Sequence, residues 1–102
     1  MPYRKAEAGF PLDRQIENEV AIRCGLKPHS QAPPYSTSVE VARTLLPLLA
    51  ADSENVDIEE MGGEWECTLT SSKGVITDVG DTEALAICAG FMARNLPRAT
   101  FA

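Results

Sequence analysis

The sequence is short of metal-binding and nucleophilic residues, with one histidine and three cysteines among its 102 residues, and that scarcity removes whole classes of chemistry. A zinc site draws three or four ligands, usually from closely spaced Cys and His. His29 stands alone, and Cys24, Cys67 and Cys88 form no C-x-x-C pair, so no metal and no other cofactor is expected. The same spacing speaks against a disulfide framework, and all three cysteines read as reduced thiols of the core. Long apolar runs are also missing. The longest, from Ala84 to Ala93 and including Gly90, is about half of what a bilayer requires. Behind Arg4 and Lys5 there is no apolar segment of the kind a secretory signal needs. These absences predict a protein that stays in the cytoplasm and contacts no membrane.

Basic residues are scarce in the middle of the chain. Residues 1–43 hold six bases and five acids, residues 44–93 hold Lys73 against ten acids, and residues 94–102 hold two bases, which together give the net charge of −6. Seven of the acids fall between Asp52 and Glu66. Such a stretch repels phosphate backbones, so no duplex nucleic acid is expected as a partner of that surface. Catalytic signatures are missing as well. Gly62-Gly63 lies in a hairpin and Gly74 and Gly80 flank one strand, so neither a Walker A nor a dinucleotide-binding fingerprint is present. Carboxylates at alternating strand positions, such as Glu64 and Glu66, face solvent without the desolvation that would tune a catalytic acid. A non-enzymatic binding protein is the reading that remains.

The chain punctuates itself clearly. Pro11-Leu12-Asp13 opens a first helix, with Asp13 as its cap and Leu12, Ile16, Val20 and Cys24 recurring every four residues until Gly25. Pro28, Pro33 and Pro34 make Leu26 to Tyr35 a loop of a length that is often functional. Ser36, Thr37 or Ser38 caps a second helix, which Pro47 kinks. Alternation in Val56–Glu59, Glu64–Thr70 and Val75–Val79, separated by short Gly-containing turns, predicts a three-stranded antiparallel meander with one polar face. Asp81 or Thr82 caps a last helix ending near Asn95. The fold class is α+β, in the order α-α-β-β-β-α, as a single domain over residues 1–102 with residues 1–10 and 97–102 as loosely ordered tails. Apolar residues surround the last helix, so Ile87, Phe91 and Met92 are candidates for a homo-oligomer interface.

One place could hold a ligand. A helix start presents unpaired amides to an anion, and Ser36, Thr37 and Ser38 add hydroxyls there. Tyr35 could stack on a base, while Lys27, His29 and Arg43 lie nearby in the sequence, with Arg43 or Lys27 to supply a full positive charge. An ordinary helix cap with a packed tyrosine is the plainer reading of the same residues. His29, without a second histidine or a motif-spaced nucleophile, reads as a loop histidine.

Several stretches resemble the phage αβα-sandwich domain family. They are Gly25 to His29, Pro33 to Ser38 leading into Val41-Ala42, Trp65 in its strand, and Asp81 to Gly90. The sequence departs from that pattern near Arg43, where family members often carry an aromatic. The resemblance implies a phage accessory gene working in the cytoplasm of an infected bacterium. It also implies helical layers around a sheet and no catalytic activity that transfers. Two binding functions fit: sequestration of a small phosphate-bearing host nucleotide signal by an oligomer, or engagement of a host defence protein by the acidic stretch.

Overall fold

In a computed structural model that describes residues 9–72 and 74–95, helix α1 spans Phe10–Cys24 and begins one turn earlier than the Asp13 cap predicts. Gly9 takes the capping position without a side-chain bond, and Pro11 sits in the first turn, where its missing N–H is not needed. Gly25 ends the helix at φ 69°, and the Leu26 amide reaches back to the Ala21 carbonyl at 2.9 Å, the usual left-handed stop. Asp13 is instead buried and points at the loop. Cys24, predicted as a core thiol, is exposed at the end of α1, while Cys67 and Cys88 are buried as predicted.

Ser38 is the cap of α2, Val39–Ala42, accepting from the Val41 amide. The backbone then stays right-handed but tightens into a 3-10 turn at Arg43–Leu45 before α3, Leu46–Asp52. Pro47 explains the break. It lies in the first turn of α3 and has no N–H to give the Arg43 carbonyl four residues back, which accepts from the Leu46 amide instead.

Strands β1 (Asn55–Met61), β2 (Glu64–Ser71) and β3 (Gly74–Gly80) form the antiparallel meander, with β2 in the centre. Gly62 and Gly63, at φ 61° and 90°, make the two-residue turn that matches the twist of its strands. The register places Val56, Ile58, Trp65, Cys67, Leu69, Ile76 and Asp78 on one face and Asp57, Glu59, Glu66, Thr68 and Thr77 on the other. Helix α4, Glu83–Asn95, lies across the first face, capped by the Thr82 hydroxyl, which accepts from the Leu85 amide at 3.1 Å. Gly90 permits the close approach, since a methyl group there would come within 2.6 Å of Cys67 Sγ. Helices α1 and α2 cover the back of α4, so residues 84–92 are buried throughout.

This explains the last helix without a partner. Ile87, Phe91 and Met92, predicted to meet a second subunit, are buried inside one chain. The apolar surface that motivated the oligomer is consumed by the domain's own core. Among the described residues, helices cover one face of the sheet only, in place of the layers on both sides that the family resemblance implies. No helix among them is long and apolar enough to cross a membrane.

Candidate functional site

Successive turns of α1 carry Asp13, Arg14 and Glu17 on the side that faces the loop between α1 and α2. Each grips a different part of it. The Arg14 guanidinium donates to the carbonyl oxygens of His29 and Ser30 at 2.9 and 2.7 Å. Glu17 Oε2 accepts from the His29 amide at 2.7 Å and lies 2.6 Å from His29 Nδ1, while Oε1 accepts from the Tyr35 hydroxyl at 3.0 Å. Asp13 Oδ1 accepts the Ser36 amide at 2.8 Å. The Ser36 hydroxyl accepts from the Gly9 amide at 2.9 Å, closing the network at the helix start.

Glu17 is almost fully buried, and its protonation follows from its partners. Burial alone pushes the carboxyl up. The His29 amide and ring and the Tyr35 hydroxyl outweigh it, and hold Glu17 below its ordinary value of 4.5. Tyr35 is displaced the other way, first by its own burial and then by the adjacent carboxylate, so it remains a phenol donor. The His29 side chain keeps 75% of its surface exposed although its Nδ1 is anchored. The ring therefore presents its far edge to solvent in a fixed orientation.

The sequence-predicted residues divide into two groups. Tyr35 and Ser36 are buried supports, and neither presents a ring face or a free hydroxyl to a ligand. Ser38 caps α2, whose single turn is too short to sum a useful dipole. Arg43 forms a two-pronged bond to Glu83 at the start of α4, at 3.0 and 3.1 Å, away from the loop network. Lys27, His29 and Thr37 remain at the surface. Reading the sequence missed Asp13, Arg14 and Glu17 as anchors. A signal existed, because Asp13 and Glu17 lie four apart directly beside the Leu12-Ile16-Val20 stripe, where a carboxylate is drawn inward.

Other chemistry is quiet. Burial raises the Cys67 and Cys88 thiols to about 12, assisted by Asp78 and Asp13 respectively, so neither supplies a thiolate at neutral pH. No group of His, Cys, Asp and Glu among the described residues could hold a metal ion.

No protein-family model matches the chain, and no curated protein matches its sequence. A solved structure does. The fold is similar to that of a phage protein from Bacillus cereus ATCC 14579, with a TM-score of 0.62 and 21% identity, over 89% of this chain and 92% of that one. At that identity the likeness is one of fold.

Proposed function

We propose that this chain is a phage accessory protein that acts in the infected cell without catalysis, by sequestering a small phosphate-bearing host nucleotide signal. The observation that carries the reading is the clamped loop. A long surface loop whose backbone is tied to α1 by buried carboxylates and a guanidinium has already lost most of its freedom before any ligand arrives. Its outward side offers the Lys27 ammonium as a cation and the oriented His29 ring as a hydrogen-bonding group, beside the exposed apolar Leu26 and Ile22. Positive charge next to an apolar surface suits a ligand that joins a phosphate to a flat base. Tyr35, Ser36 and Asp13 serve as the support of this surface. The phage setting rests on the likeness of fold to a phage protein and on the sequence resemblance.

A self-contact, in this reading, is built on Ile22 and Leu26, 74% and 69% exposed at the end of α1, and it would enclose the ligand between two loops. Thermal-shift titration with cyclic dinucleotides and ADP-ribose derivatives tests the proposal, together with mass spectrometry of small molecules released on denaturation. A stabilising ligand whose effect is lost in Lys27→Ala and His29→Ala supports it. No shift across the set and no co-purified nucleotide would refute it.

A further inference from the structure

We infer that the sheet face that no helix among the described residues covers is a second interaction surface, which docks a lysine- or arginine-rich segment of a partner protein. The register sets its composition. Asn55, Asp57, Glu59 and Met61 of β1, Glu64, Glu66, Thr68 and Thr70 of β2, and Val75, Thr77 and Val79 of β3 point away from α4. Four of these positions are acidic and none is basic. Glu59 stands directly opposite Glu66, an arrangement that weakens a sheet when both are charged. An outward face that only needs water intersperses both signs. Here the repulsion is kept, and Met61 and Val75, 51% and 64% exposed, add apolar contact at the two margins.

Charge complementarity selects the occupant. A nucleic acid or a second copy of this same face is repelled, whereas a basic segment neutralises Glu59 and Glu66 together and covers Met61 or Val75 with its aliphatic stems. This surface lies on the opposite side of the sheet from α4 and the loop network, so it is independent of the nucleotide proposal.

The test uses a synthetic peptide of alternating lysine and valine as the basic probe and one of alternating glutamate and valine as its control. The basic peptide is expected to shift backbone amide resonances of β1 to β3 and to bind less tightly as salt rises. Paired substitution Glu59→Gln with Glu66→Gln should weaken it about tenfold, and Glu59→Lys with Glu66→Lys about a hundredfold. Equal binding of the acidic peptide, shifts confined to α1 and its loop, or affinity unchanged in the Gln pair would overturn the inference. The single substitution Glu59→Lys carries an independent readout. It turns a repulsive cross-strand pair into an attractive one and should raise Tm by about 2–5 °C while weakening the peptide. A Tm that does not rise would show that no repulsion is held in reserve.

Discussion

Replacing Glu17 by alanine would remove the acceptor of three donors at once, and the structure lets the cost be worked out by donor. The Tyr35 hydroxyl lies in the core, so its loss is that of a buried donor left unsatisfied, about 1–3 kcal/mol. The His29 amide and ring sit at the exposed loop, where water replaces most of what Glu17 gave, about 1 kcal/mol together. A small cavity adds to this, for a total of about 3–5 kcal/mol. In a domain of this size each kcal/mol lowers Tm by roughly 4–8 °C. Glu17→Gln should cost less, about 1–2 kcal/mol. Its carbonyl can still accept the His29 amide, and its NH2 can donate to the Tyr35 oxygen, so the charge is lost while the geometry survives.

The same pair separates in pH. Glu17 is held below its ordinary value in the fold, so the stability it contributes is present above about pH 4.5 and is lost as pH falls through the lower folded value. Wild type should therefore lose stability more steeply than Glu17→Gln on acidification below that point. Chemical denaturation between pH 3 and pH 7, with amide exchange of residues 25–36, measures both effects. Glu17→Ala within about 1 kcal/mol of wild type, with unchanged loop exchange, would refute the clamp.

Gly90→Ala should destabilise by about 1–3 kcal/mol because its methyl meets Cys67 Sγ, and Cys67→Ala in the same chain should recover part of that loss in a double-mutant cycle. Phe91→Asp should unfold the domain rather than split an oligomer, seen as loss of cooperative melting by circular dichroism, since Phe91 is fully buried within one chain. Arg43→Ala should change stability by less than about 1 kcal/mol, because its bond to Glu83 is partly exposed. A thiol reagent at neutral pH should label Cys24 in the native protein and reach Cys67 and Cys88 only after denaturant is added.

The elements were legible where local chemistry decides them. Gly62-Gly63 could only turn a hairpin, Gly25 could only stop a helix that reached it, and alternation in β2 already assigned Cys67 and Leu69 to the core. The depth of α4 was legible but its cause was not. Nothing in Ile87 or Phe91 says whether a neighbouring helix or a neighbouring molecule covers them, and the answer lies in how α1 folds back, a contact between distant parts of the chain. The candidate site failed in the same way. Tyr35 and Ser36 look like surface donors until Asp13 and Glu17, roughly twenty residues earlier, claim them. Hydroxyl and amide groups announce what they can bind and not what they have already bound.

The way Arg14 holds the loop has a bearing on how this chain can change over generations. Its two bonds go to carbonyl oxygens, and Glu17 takes an amide hydrogen, so the grip is largely on main-chain groups that every substitution except proline leaves in place. Ser30, Gln31 and Ala32 can therefore be exchanged for other side chains while the course of the loop is preserved. The clamp separates shape from recognition, and lets a lineage, or a designed library, retarget the loop's tip without rebuilding the domain that carries it.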